Sequence, residues 1–170
     1  QDKERFPAKF LRYVYWIHKT VASKKKTFKE NPESKLIVHL AEGRREDPYN
    51  ALEFDLLKLL GLDLKGVNLV HAVGLNQKDF EHMAAKGMGV IWSPLSNIVL
   101  YGETLDIVSA LKAGVPVALG SDWLPTGTRG VLEEVKEARK YVKKTGAQVS
   151  YRDLYNMLTE NPAKMIGHFE

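Results

Sequence analysis

Cysteine is absent from this chain of 170 residues, which excludes disulfides, thiolate metal sites and a cysteine nucleophile. Any metal must therefore be held by histidine and carboxylates. Long hydrophobic runs are also missing: no stretch approaches the roughly 18 apolar residues of a membrane span. No glycine-rich loop opens a helix, which argues against a phosphate-binding site. The charge imbalance is small, a formal +4, and Lys24-Lys25-Lys26 is the one basic cluster, read as a solvated helix end. Aromatic residues do not alternate with basic ones on a strand, and no nucleic-acid motif appears. The partner expected is thus neither nucleic acid nor membrane. No signal peptide is visible behind Gln1, and a cytoplasmic location is the expectation.

What is present is ordinary for a globular protein: 44% hydrophobic and 27% charged residues, enough for one domain with a real core. Short apolar runs alternate with amphipathic stretches. Phe10, Tyr13, Val14 and Ile17 share a helical face, predicting a helix from Phe10 to about Lys25, and Asn31 to Ser34 reads as a turn. Strands are expected at Leu36–Leu40, Val67–Ala72, Gly89–Trp92 and Pro116–Gly120. Helices are expected over Tyr49–Leu60, Gln77–Lys86, Leu105–Ala113 and Gly130–Lys144, and over Tyr151–Ile166 with a bend or break near Pro162. The strand starts lie 31, 22 and 27 residues apart, the rhythm of βα units. Almost unbroken apolar strands imply a parallel sheet covered on both faces. Four units are half of the eight that close a (β/α)8 barrel, so an open α/β domain and half a barrel both remain.

Polar residues at the strand ends bear on that choice. The first strand carries His39, followed by Glu42; the second ends in His71; the fourth runs into Asp122. In parallel α/β folds the carboxyl ends of the strands form the active-site mouth. Alone, each residue has a plain structural role: a hydrogen-bonded histidine, a turn-forming aspartate. Together they put imidazoles and carboxylates on one rim, the donor types suited to a Zn(II)- or Fe(II)-class cation. Such a cation acidifies water, a nearby carboxylate can carry the proton, and a second imidazole can polarise a substrate.

The pattern resembles a known family. His39-Leu40-Ala41-Glu42 is similar to the His-x-x-Glu motif on strand five of the amidohydrolase superfamily, in its cytosine-deaminase-like branch. Leu69 to Leu75, with Asp79, resembles the strand-six segment, and Ser93 to Gly102, with Pro94, Ser96, Asn97 and Tyr101, the Pro-x-Ser-Asn segment after strand seven. Ala113 to Asp122 resembles strand eight with its metal-binding aspartate, and Thr159 to Gly167 the Thr-x-x-x-Ala-x-x-x-Gly helix beyond the barrel. The resemblance implies an α/β fold of parallel βα repeats forming strands five to eight of a TIM-type barrel. It implies His39 and Asp122 as metal ligands. Glu42 would shuttle protons, and Asp122 would also help to deprotonate the water. His71 would polarise the substrate or bind a second metal; the His-x-x-Glu spacing leans to the one-metal, deaminase-like type. The activity implied is hydrolysis of a non-peptide carbon–nitrogen bond in a small molecule such as a nitrogen heterocycle or cyclic amide.

The family's His-x-His motif of strand one is missing: none of His18, His82 and His168 has a histidine two positions away. The expectation is a single partial domain over residues 1–170, lacking the N-terminal half and the β-sandwich, and inactive alone. A different class of function stays open, a non-catalytic half-barrel that self-associates into a homo-oligomer through its exposed sheet edges. Past Asp122, Trp123 is a candidate to stack on a planar substrate and Arg129 to pair with an anionic group; packing of the loop and solvation are the alternatives. Gly127 is expected to serve a turn, Asn97 to hold loop geometry, and Trp92 to be core or pocket wall.

Overall fold

A computed structural model describes residues 19–168. Helix α1 covers residues 19–30, running beyond its expected end at Lys25; the face carrying Phe10, Tyr13, Val14 and Ile17 lies outside the described residues. Then come β1 (Leu36–Leu40), α2 (Pro48–Leu59), β2 (Val67–His71), α3 (Gln77–Lys86), β3 (Gly89–Trp92), α4 (Pro94–Tyr101), α5 (Ile107–Ala113), β4 (Val117–Leu119), α6 (Val131–Thr145), α7 (Tyr151–Leu158) and α8 (Glu160–Ile166). Local chemistry sets most boundaries. Asn76 caps α3 in a capping box with Asp79, and Ser150 does the same for α7 with Asp153. Left-handed glycines at 87, 102, 114, 146 and 167 end five helices.

Two helical expectations are revised. Helix α4 occupies a segment read from the sequence only as a motif after a strand. The break between α7 and α8 falls at Thr159, whereas Pro162 sits in the first turn of α8, where its missing N–H costs no intrahelical bond.

The four strands are parallel and lie in chain order, β1-β2-β3-β4. A doubly wound sheet reverses direction at a switch point. A sheet in strict chain order instead winds one way, as a barrel does, and its right-handed crossovers put the helices on one side. Register makes a row of Val38, Leu69, Val90 and Val117 across the sheet. Leu69, Val90 and Val117 pack with Phe54, Phe80, Met83, Ala110 and Ala138 from the helices into the main core. The neighbouring row, His39, Val70, Ile91 and Ala118, points to the opposite face.

The expectation of strands covered on both faces holds for β2, all five residues of which are buried, but not for β1. There Ile37 and His39 are exposed, because β1 pairs only with β2 among the described residues and its second face has no covering layer. Beside it α2 leaves Tyr49, Leu52, Leu56 and Leu59 exposed at helical spacing.

Phe80 is fully buried between α3 and the sheet. Phe80→Ala is expected to lower unfolding free energy by about 3–5 kcal/mol, read as a lower denaturation midpoint at unchanged slope.

Candidate active site

The carboxyl ends of the strands carry unusual backbone. Ala41 (φ 53°), His71 (φ 73°), Ala72 (φ 52°) and Asp122 (φ 56°) are the non-glycine residues with positive φ among those described. Each such conformation costs on the order of 1 kcal/mol or more and persists only where the surroundings impose it. The consequence is clearest at His71. Strict alternation along β2 would turn His71 to the helix side with Leu69, away from His39. The left-handed conformation interrupts the pleat, and the two imidazoles lie with centroids 5.2 Å apart.

Close packing supports this rim. A Cβ on Gly74 would meet Cβ of Asn50 at 2.7 Å, and one on Gly43 would meet its side-chain amide at 2.4 Å. Asn50 Nδ2 donates to the Arg44 carbonyl (2.7 Å), and the Ala41 N–H donates to Glu53 Oε2 (2.6 Å). These contacts tie the loop after β1 to α2.

Ligand-type atoms of His39, His71 and Asp122 lie within 4.8 Å of one another. His71 is fully buried, and its Nε2 has no hydrogen-bond partner; the nearest anionic oxygen is Glu42 Oε1, 3.5 Å away. Burial is the main cause that pushes the His71 pKa below its ordinary value, against the pull of Glu42 and Asp122, so the neutral imidazole is favoured. Two imidazoles and a carboxylate converging on one point fit a Zn(II)- or Fe(II)-class cation by donor type.

A second set of residues holds these side chains, and it stands on α4. Ser96 donates to Asp122 Oδ2, and Asn97 Nδ2 contacts His71 Nδ1 (2.9 Å). The Tyr101 hydroxyl donates to Glu42 Oε1 (2.9 Å), and burial with this bond pushes the phenol up to about 12, so it stays protonated. Buried Glu134 of α6 anchors the start of α4 by accepting from the Leu95 N–H (2.9 Å) and from Thr128 (2.7 Å) in the loop after β4. Burial raises the pKa of Glu134.

The structure thus brings His39, Glu42, His71 and Asp122 together. It leaves Trp123 69% exposed beside Asp122, and Arg129 exposed on a hollow of about 360 Å³ shared with Glu133, Lys136 and Glu137. Gly127 serves the expected turn: its N–H donates to the Trp123 carbonyl (2.9 Å). From the sequence, Ser96 and Tyr101 stood inside the motif of residues 93–102 without an assigned role, and Thr104 was passed over. The available signal was proline at the first helical position and Gly102 as C-cap, which together frame α4.

The chain belongs to the amidohydrolase family, whose model matches residues 17–169. It is 30% identical over 140 residues to a 5-methylthioadenosine/S-adenosylhomocysteine deaminase of Thermococcus sibiricus, covering 77% of this chain and 33% of that one. Guanine deaminase of Escherichia coli is 24% identical over 145 residues, covering 81% and 33%. Its solved structure matches at a TM-score of 0.74 and 24% identity, over 87% of this chain and 36% of that chain. A zinc-bound adenosine deaminase from Xanthomonas campestris matches at 0.74 and 19% identity, over 84% and 35%. The chain spans about a third of the length of the curated relatives it matches.

A Cβ on Gly127 would lie 1.9 Å from the Ser121 carbonyl oxygen, a clash with backbone. Gly127→Ala is therefore expected to displace the loop that bears Asp122 and to destabilise the fold by more than about 2 kcal/mol. Unchanged thermal stability in this variant would mean that the loop is not closed in this way.

Proposed function

We propose that the full-length protein is a metal-dependent hydrolase acting on a non-peptide carbon–nitrogen bond, of the deaminase or cyclic amidase type. In this reading residues 1–170 supply strands five to eight of a (β/α)8 barrel, and β1 to β4 are those strands. The observation that carries the reading is the convergence of His39, His71 and Asp122 on one point, with the Glu42 carboxylate beside it. The open edge and face of β1 and the apolar stripe of α2 support a barrel completed by further chain, and favour that over self-association of half-barrels.

His39 and Asp122 would hold the cation, with more ligands from outside these residues. The cation, when bound, supplies Lewis-acid activation of water. Ser96 donates to Asp122 Oδ2 and orients this carboxylate, which would hold the cation and help to take the proton of the water. Tyr101 occupies Glu42 Oε1 and so presents Oε2 as the oxygen that exchanges a proton with the leaving nitrogen. His71 would face the substrate with Nε2. Trp123 is exposed at the mouth and is suited to stack on a planar ring; Arg129 would serve an anionic group only if further chain brings substrate to its hollow. The relatives act, by name, on 5-methylthioadenosine, S-adenosylhomocysteine and guanine, which supports an aminated heterocycle as the substrate class.

The test is ammonia release by the full-length protein from a panel of aminated purines and pyrimidines, with metal quantified per chain. Asp122→Ala is expected to abolish activity and weaken metal binding, and full activity in it would sink the assignment. Glu42→Gln should keep the metal while kcat falls by a factor of about 10² or more.

A further inference from the structure

Trp92, Thr104, Asn97 and His71 are all buried and joined end to end: Trp92 Nε1 to Thr104 Oγ1 (2.8 Å), Thr104 Oγ1 to Asn97 Oδ1 (3.1 Å), Asn97 Nδ2 to His71 Nδ1 (2.9 Å). The direction of this chain follows from its first member. An indole nitrogen only donates. Thr104 Oγ1 therefore accepts from Trp92, and its one hydrogen goes to Asn97 Oδ1. That fixes the amide: Oδ1 accepts, and Nδ2–H points at His71 Nδ1. Turning the amide over would leave the buried Thr104 hydrogen with no acceptor, an arrangement folded proteins avoid. Nδ1 must then offer its lone pair, and the proton of the ring sits on Nε2. A ring protonated at both nitrogens would set Nδ1–H against the amide N–H.

We propose that Trp92, Thr104 and Asn97 are positioning residues that lock His71 in the Nε2–H tautomer, so that it enters the site as a hydrogen-bond donor and not as a metal ligand. The inference rests on the hydrolase reading for what the donor meets, namely a carbonyl or ring nitrogen of the substrate. The tautomer itself follows from the hydrogen bonds alone. It separates two facts that distance leaves mixed: His71 stands within reach of His39 and Asp122, yet its inward nitrogen has no lone pair to give a cation. It also accounts for the unpartnered state of that buried nitrogen, which waits for an acceptor from the substrate.

The test is spectroscopic. Long-range proton–nitrogen correlation spectra of the full-length protein, with ¹⁵N-labelled imidazoles, report which ring nitrogen of His71 carries the proton. The Nε2–H pattern is expected; an Nδ1–H or doubly protonated pattern in the wild-type protein overturns the proposal without need of a variant. Asn97→Asp should reverse the pattern, because a carboxylate accepts from Nδ1–H and frees the lone pair of Nε2; an unchanged pattern overturns the role of Asn97. Thr104→Val removes the hydroxyl and should give a mixture of tautomers, and a single unchanged tautomer would remove Trp92 and Thr104 from the relay. Failure of the hydrolase reading would show instead as absent ammonia release, which the spectra do not depend on.

Discussion

Ser96, Asn97 and Tyr101 lie on adjoining turns of α4 and reach Asp122, His71 and Glu42, respectively. These bonds come from a helix of eight residues, and Asn97 and Tyr101 are four apart, on one face. The rim of the sheet takes its shape from that helix. The strands deliver side chains to the carboxyl end of the sheet; α4 decides which oxygen or nitrogen of each is occupied and which is left free. The helix is itself fixed from outside the rim, since Glu134 of α6 accepts from the backbone N–H of Leu95 in its first turn. A charged or polar residue buried this deeply is tolerated because its oxygens are bonded, and the same bonds couple α4 to the loop after β4 that holds Asp122.

The backbone at the rim tells the same story from the side of strain. A parallel sheet offers side chains alternately to its two faces, and the one-sided helical layer claims one of them. Ligand-type residues on neighbouring strands would then be divided between the helix side and the open side. The positive φ at His71 solves this locally: it brings the His71 ring, set by alternation on the side of Leu69, against the ring of His39 on the other. Asp122 is turned in the same conformation three residues after β4 ends. The strain sits where the polar groups meet and is held by buried neighbours, among them the fully buried Ala41 and Ala72.

Much of this was legible in the sequence. The four strands were readable because each is a short, largely apolar run, three of them flanked by glycine or proline, and the helices between them because their apolar residues keep helical spacing. His39, Glu42, His71 and Asp122 were readable because each falls at or just past the end of such a run. What the sequence hid has physical reasons. Helix α4 is short, with a mixed face, and its start at Ser93-Pro94 looks like a turn. Tyr101 and Thr104 depend on contacts across 59 and 12 residues, respectively, which no local pattern encodes. The openness of β1 was hidden because Ile37 is as apolar as Leu69 and Val70 of the buried β2; only the absence of a neighbour on that face separates them.

Strand order carries the last step. Four parallel strands lie in chain order, and at the β1 end one face is left uncovered; that face holds Ile37 and His39. An apolar residue and a ligand-type histidine on one uncovered strand make a poor outer surface and a good inner one, because a closed barrel packs such a row against the strands opposite. The exposed stripe of α2, flanking the same strand, has the same character. Two imidazoles and one carboxylate thus stand on the same rim whose β1 strand leaves Ile37 exposed. On the hydrolase reading proposed above, closure of a barrel by further chain would bury Ile37 and complete the coordination of His39 and Asp122 in one event, which would link stability and metal affinity through the same strand.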